Sequence, residues 1–278
     1  MSYRSLLVHL DQTPQCAERS RQAIALAQRM ECHLVGLAPT GLLNFPVVPE
    51  AGATLAEFNT MAWELLQQQA DQAAALFRAA CAAAGLRSCE VIVDPADSAS
   101  SLVRHAHCSD LLLMSQPDPD RPGHAQARAV LEQVLLHSAR PTLLLPYAAS
   151  FKTLGQRALV AWDDSREAAR ALNDALPLLR QAQSVQLLSW RESLEDEDLR
   201  PRLAALQQWL AWQGVAAEAR EERSEIGVAE ALLSRATDQD ADLIVMGAYG
   251  HSRWTELVLG GATRGLLDAM TVPVLMSH

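Results

Sequence analysis

Short apolar runs alternate with longer amphipathic stretches along the whole chain. In the second half the apolar runs predict five strands, at 158–163, 184–190, 215–221, 241–247 and 272–276. The stretches beside them predict four helices, at 166–180, 201–213, 227–238 and 261–269. Strands and helices that alternate in this way are typical of βαβ units, in which helices cover both faces of a parallel sheet. With right-handed crossovers, the pattern predicts a doubly wound α/β fold with a flavodoxin-like strand order.

The same pattern occurs twice in the chain. Residues 7–13 (LVHLDQT) align with residues 159–165 (LVAWDDS), and residues 110–114 (DLLLM) align with residues 242–246 (DLIVM). A repeat this long indicates a duplicated domain and not a solenoid of small units. The sequence therefore predicts two tandem domains of the same fold class.

The predicted boundaries are 1–147 for the first domain and 157–278 for the second. The two alignments have offsets of 152 and 132 residues, so the first copy contains about 20 extra residues. We place these extra residues at 39–61, a segment interrupted by several prolines and glycines that predicts an irregular excursion before a helix.

Composition and charge exclude some classes of function. The chain has 278 residues and a net charge of −10, and it has no basic run, so binding to nucleic acid is not expected. No apolar run approaches the roughly 18 residues that span a membrane. The first apolar stretch meets an acid too early for a signal peptide, which predicts a cytoplasmic protein. The five cysteines all lie in the first half and show no disulfide spacing, so we interpret them as reduced thiols.

Glycines cluster beside the fourth strand of the second copy. Gly247 and Gly250 follow that strand, and Gly260 and Gly261 come before the next helix. Glycine allows a positive φ and lets a ligand approach the main chain. The first amide groups of a helix have no partner inside the helix and attract phosphate. The arrangement predicts a nucleotide held by the main chain, with a purely structural turn as the alternative.

The spacing Gly-x2-Gly-x9-Gly, formed by Gly247, Gly250 and Gly260, resembles the nucleotide-binding members of the universal stress protein family. Gly261 stands where those members have Ser or Thr, so the hydroxyl group that would donate to a phosphate is missing. Thr263, two residues later, is the candidate replacement. The resemblance is strong in the second half of the chain and weak in the first.

The resemblance also implies a role for Asp163, at the end of the first strand of the second copy, in contacting the adenine end of ATP. The alternative is that Asp163 or Ser165 caps the following helix. The first copy has Ser115 and Pro117 where the glycines are expected, which predicts no nucleotide site there. His105 and His107 are two residues apart on a predicted helix, a spacing that does not favour a metal site.

The function that the resemblance implies is a stress-response binding and regulatory module, with ATP, accompanied by Mg²⁺, in the second domain. It further implies that the two domains pair face to face and that the chain forms a homodimer. We expect no catalytic residue, no dedicated metal site and at most slow ATP hydrolysis. Two alternatives stay open: a nucleotide-independent interaction protein with a lost site, and a related enzyme that transfers adenylyl groups.

Overall fold

The computed structural model describes residues 2–41, 53–148, 150–191, 200–223, 227–250 and 261–278. The chain divides into two compact units, which we call the first unit (Tyr3–Arg140) and the second unit (Pro141–His278, with Met1–Ser2). Each is an α/β structure, as the alternating pattern predicts.

The described residues of the first unit form four strands and four helices. In chain order they are β1 (Ser5–His9), α1 (Gln15–Met30), β2 (His33–Pro39), α2 (Ala53–Ala83), β3 (Cys89–Asp94), α3 (Ser98–Ala106), β4 (Leu111–Ser115) and α4 (His124–His137). The strands are parallel and lie in the order β3-β2-β1-β4.

In the second unit, the residues that the structure describes form six strands and four helices. In chain order they are β5 (Thr142–Leu145), β6 (Arg157–Ala161), α5 (Arg166–Leu179), β7 (Ser184–Arg191), α6 (Arg200–Trp212), β8 (Glu218–Arg223), α7 (Val228–Asp238), β9 (Leu243–Gly247), α8 (Gly261–Ala269) and β10 (Val274–Ser277). Their order is β5-β10-β9-β6-β7-β8, with β5 antiparallel to β10 and the other pairs parallel.

The central strands are buried on both faces, as expected of a parallel sheet covered by helices. In β9, for example, Leu243, Ile244 and Val245 are fully buried. The facing side of α5 supplies Ala168, Leu172 and other small or apolar residues to this core. The apolar runs that predict the strands are therefore the residues that the helices cover.

Two predicted boundaries are wrong. Residues 53–61 are not an irregular excursion, because α2 begins at Ala53, directly after the last glycine of that segment. The strand predicted at 215–221 is β8 at Glu218–Arg223. Val215 instead closes α6: Gly214 has φ +79°, the N–H of Val215 donates to Leu210 O at 2.9 Å, and the Val215 side chain is buried.

No helix in the part of the chain that the structure describes is both long enough and apolar enough to cross a membrane.

Candidate functional site

The sheet of the second unit has one point where its strand order reverses. From β6 the chain first adds β7 and β8 on one side, and then crosses to add β9 and β10 on the other. Open α/β sheets bind ligands beyond the carboxyl ends of the strands at such a point. The parallel register pairs Val160 of β6 with Val245 of β9, so Asp163 and Gly247 lie at the same edge. The structure thus brings two of the predicted site residues together.

Asp163 holds the turn between β6 and α5. Its Oδ1 accepts hydrogen bonds from Ser165 N at 3.0 Å and from Ser165 Oγ at 2.6 Å. Ser165 is the N-cap of α5, and its Oγ accepts a hydrogen bond from Ala168 N at 3.1 Å. Asp163 is nevertheless an exposed residue. The capping alternative is therefore correct for Ser165, while a ligand contact by Asp163 stays a prediction.

Asp164 adopts a conformation that is uncommon for a residue other than glycine. Its φ is +60°, in the left-handed region, where aspartate is tolerated better than most residues. Its carboxylate forms an ion pair with Arg202 of α6. The turn therefore has two neighbouring acids, and the carboxylate of Asp164 is paired with a cation.

Gly247 allows the start of α5 to pack against the end of β9. A Cβ atom at this position would lie 2.6 Å from Ala168 N and 2.7 Å from the carbonyl carbon of Glu167. The φ of Gly247 is not positive, and the same is true of Gly250. The positive φ expected of these glycines belongs instead to Tyr249, at +53°. Close packing of two backbone segments is a sufficient reason for glycine at position 247.

Gly250 has more room around it than Gly247. A Cβ atom there would lie 3.4 Å from Glu167 Oε2 and 3.5 Å from Ser165 Oγ, which are ordinary contacts with side chains. Gly250 therefore faces the capped end of α5. The predicted residue Gly260 lies outside the described residues.

Thr263 connects the loop after β9 to the first turn of α8. Its side chain is buried, and its Oγ1 accepts a hydrogen bond from Tyr249 N at 3.1 Å. Gly261, the first residue of α8, is exposed. The hydroxyl group of Thr263 thus fixes the loop in place, a role that the sequence does not reveal.

Glu167 is the residue of this edge that the sequence analysis missed. It lies in the first turn of α5 and is only 3% exposed. Burial alone would raise its pKa, but hydrogen bonds from Arg166 and from the main chain, with the charges of Arg166 and His278, hold the pKa below its ordinary value. Glu167 is therefore an anion at neutral pH. Acidic residues are common in the first turn of a helix because they interact favourably with the helix dipole. The sequence alone therefore gives no reason to assign Glu167 to the site.

Residues 155–278 match the model of the universal stress protein family. We call this matched region, residues 155–278 of the second unit, the universal stress domain. The fold of the whole chain is similar to that of a universal stress protein from Archaeoglobus fulgidus, with a TM-score of 0.69, 17% sequence identity, and coverage of 98% of this chain and 95% of the other.

Two further solved structures are similar to the chain. A putative universal stress protein from Pseudomonas aeruginosa has a TM-score of 0.59 and 17% identity, over 99% of this chain and 93% of that one. A universal stress protein solved in complex with cAMP is 19% identical, with a TM-score of 0.36, over 44% of this chain and 97% of its own. None of the curated proteins is significantly similar to the chain in sequence.

The corresponding edge of the first unit differs from that of the universal stress domain, because a side chain of the protein fills it. Arg19 of α1 is 1% exposed and reaches the ends of β1 and β4. Its Nε donates to His9 O at 2.6 Å, its Nη1 donates to Ser115 Oγ at 2.7 Å, and its Nη2 lies 3.0 Å from Asp11 Oδ2. We call these residues the Arg19 network. Asp11, the counterpart of Asp163, is therefore bound to an internal cation.

The Arg19 network changes the protonation of its neighbours. Burial lowers the pKa of His9 to about 4, with Arg19 adding to the shift and Asp11 opposing it. Burial would raise the pKa of Asp11, but Arg19, His9 and Thr13 together bring it down to about 2. At neutral pH the network therefore consists of a charged arginine, a charged aspartate and a neutral histidine.

The histidine pair considered in the sequence analysis does not converge. Nε2 of His105 lies 3.0 Å from Oδ2 of the buried Asp94, whereas His107 is exposed. Within the described ranges, no group of three or more His, Cys, Asp and Glu side chains is placed to hold a metal ion. His105 contributes instead to the set of donors, with Ser101 and Arg104, that surrounds Asp94.

Proposed function

We propose that the protein acts as a stress-response binding module whose universal stress domain takes up an adenine nucleotide, with ATP as the expected ligand. The observation that carries the proposal is the meeting of Asp163 with the segment Gly247–Gly250 at the point where the strand order reverses. The cytoplasmic location, the pairing of the two domains and a homodimer stay predictions.

Two features of the described residues at this edge support the proposal. Asp163 is exposed, and its carboxylate is an acceptor suited to the amino group of adenine or to a ribose hydroxyl. Gly261 begins α8 and is exposed, so the first amide groups of that helix are available to phosphate. A magnesium ion would be carried by the nucleotide phosphates, with carboxylate oxygens such as those of Asp163 as suitable additional ligands.

The proposal is tested by titrating the full-length chain with ATP and Mg²⁺ in a calorimeter. Asp163→Asn keeps an acceptor for the Ser165 cap but removes the charge, and charge-assisted hydrogen bonds are about twice as strong as neutral ones. We expect the variant to bind at least about fivefold more weakly. Asp240→Asn is the matched control, because Asp240 is an exposed acid that precedes β9, at the opposite end of the strand.

The control should bind as the unmodified chain does. An unmodified chain that gives no binding heat with ATP at millimolar concentration would disprove the proposal. If Asp163→Asn and Asp240→Asn weakened ATP binding equally, Asp163 would not be a ligand contact.

A second candidate function is favoured by one observation. The packing of α5 fully accounts for Gly247, and Thr263 is used within the fold. Both facts agree with an interaction protein that has kept the fold of a nucleotide-binding family without its ligand. Such a protein would be indifferent to nucleotides in the same titration. The adenylyl-transferring alternative would be recognised by release of pyrophosphate from ATP.

A further inference from the structure

Two of the five cysteines lie against each other at the connection between α2 and β3. Cys81 lies in the last turn of α2, and Cys89 is the first residue of β3. The thiol of Cys81 forms a hydrogen bond with the thiol of Cys89. Both cysteines are free, so the pair is in its reduced form.

The backbone between the two cysteines folds back on the end of α2. Gly85 has φ +69°, and the N–H of Leu86 donates to Cys81 O at 3.0 Å, which closes the turn on the residue that carries one thiol. The other thiol, that of Cys89, donates to Leu86 O at 3.8 Å. Cys89 is also held in the sheet, where it lies opposite Leu34 of β2. Hydrogen-bonded backbone on both sides therefore brings the two sulfur atoms together.

The two thiols differ in their access to solvent. Cys81 is 1% exposed, and burial together with the neighbouring thiol raises its pKa to about 12, so it stays protonated at neutral pH. Cys89 is partly exposed and is therefore the thiol that a small oxidant meets first. Reversible redox sites often combine one accessible thiol with a second thiol close enough to resolve its oxidised form. Cys89 and Cys81 fit these two roles.

We propose that Cys81 and Cys89 are a redox modification site, at which hydrogen peroxide produces a reversible disulfide. The thiolate of Cys89 attacks the O–O bond of the peroxide, which gives a sulfenic acid on Cys89 and releases hydroxide. The sulfur of Cys81 then attacks the sulfur of Cys89. The S–S bond forms, the S–O bond breaks, and the oxygen leaves as water with the proton of Cys81.

Two thiols and one peroxide thus give one disulfide and two water molecules. The new bond ties the C-terminal end of α2 to β3, which is the edge strand of its sheet, and a thiol reductant reverses it. Nucleotide binding plays no part in this chemistry.

The test is treatment of the full-length chain with hydrogen peroxide, followed by alkylation of the remaining thiols and digestion with trypsin without reductant. Trypsin cleaves after Arg87 and so separates the two cysteines into peptides 79–87 and 88–104. We expect mass spectrometry to find these two peptides joined by a disulfide, with two of the five thiols protected from alkylation. Dithiothreitol should restore all five.

Three variants assign the role of each thiol. In Cys89→Ser the buried Cys81 should stay reduced, because the accessible thiol is missing. In Cys81→Ser the sulfenic acid of Cys89 has no partner, so dimedone, a reagent for sulfenic acids, should label it. Cys16→Ser is the matched control, since Cys16 is another partly exposed cysteine of the first unit, and its linked peptides should form as in the unmodified chain. Thermal unfolding checks that each variant is folded.

A second measurement separates the folded geometry from the short spacing in sequence. In glutathione redox buffers, the equilibrium constant for the disulfide should be larger in the folded chain than in the urea-unfolded chain by about tenfold or more. An equal or smaller constant in the folded chain would overturn the proposal, because the fold would then not favour the bond. Absence of the linked peptides after peroxide treatment, or a Cys89 linked to a cysteine other than Cys81, would also overturn it.

Discussion

Replacing Gly247 by alanine gives the sharpest test of why glycine occupies the end of β9. The new methyl group would lie 2.6 Å from Ala168 N and 2.7 Å from the carbonyl carbon of Glu167. Both atoms belong to the backbone, so no side-chain rotation relieves the overlap. Because the φ of Gly247 is not positive, the penalty is one of packing and not of backbone strain.

The size of the effect follows from what must move. Forcing an extra methyl group into a packed region costs about 1–3 kcal/mol. If the first turn of α5 shifts, the bond from Ala168 N to Ser165 Oγ weakens as well, and the loss of such a cap costs about 1 kcal/mol. We therefore expect Gly247→Ala to lower the free energy of unfolding by about 2–4 kcal/mol.

Gly250→Ala is the matched control in the same segment. The nearest atoms to its methyl group among the described residues would belong to the Glu167 and Ser165 side chains, at 3.4 Å and beyond. Alanine also reduces the freedom of the unfolded chain, which is worth about 0.4–1 kcal/mol where the native backbone allows it. The unfolding free energy of Gly250→Ala should therefore stay within about 1 kcal/mol of the unmodified value.

The assay is urea denaturation followed by tryptophan fluorescence, with hydrogen exchange of the peptide that covers the start of α5. In Gly247→Ala the α5 amides should exchange faster, and in Gly250→Ala they should not. If Gly247→Ala were as stable as the unmodified chain, or if both variants lost equal stability, the packing explanation would be refuted.

Three further predictions concern the two sheet edges. Arg19→Met leaves the half-buried Asp11, with His9 O and Ser115 Oγ, without its donor and should cost about 1–3 kcal/mol of unfolding free energy. Arg21→Met breaks only the surface ion pair with Glu18 and should cost less than about 1 kcal/mol in the same denaturation series. Between pH 6.5 and about 4 the unfolded chain binds a proton that folded His9 does not, so stability should fall by up to about 3 kcal/mol as the pH is lowered through this range. His9→Asn should abolish most of that slope, and an unchanged slope would contradict the assignment. Ser165→Ala should cost about 1 kcal/mol by thermal unfolding, and no loss would show that the cap does not stabilise α5.

The fold was predictable because its cause is local and periodic. Each buried strand is a short apolar run, and the strands of the second copy lie close to the runs that predict them. A predicted strand boundary was wrong where an apolar residue belongs to the preceding element. Val215 packs at the C-terminal end of α6 and does not begin a strand. The helix α2 begins at Ala53, among residues with good helix propensity that follow the last glycine.

The candidate site was predictable only in part. The sequence places Asp163 and Gly247 at strand ends, and the parallel register brings them to one edge. Glu167 and Arg19 were missed because the sequence does not show that these charged side chains are buried. Their burial and their contacts become visible only once the helices pack on the sheet. Ser115 bonds Arg19 across 96 residues, and no spacing rule connects them. The packing role of Gly247 was missed for a similar reason, because this glycine contacts the backbone of α5, a different element.

The Arg19 network has a consequence for how the two units respond to conditions in the cell. A ligand that binds only the folded state adds stability that depends on its concentration. Arg19 is covalently part of the chain, so the stabilisation that it gives the first unit is constant whatever the supply of small molecules. The described residues of the universal stress domain include no buried arginine or lysine. On the proposed function, this domain gains stability as the nucleotide concentration rises. One chain would then combine a unit of constant stability with a unit whose folded fraction depends on the nucleotide concentration in the cell.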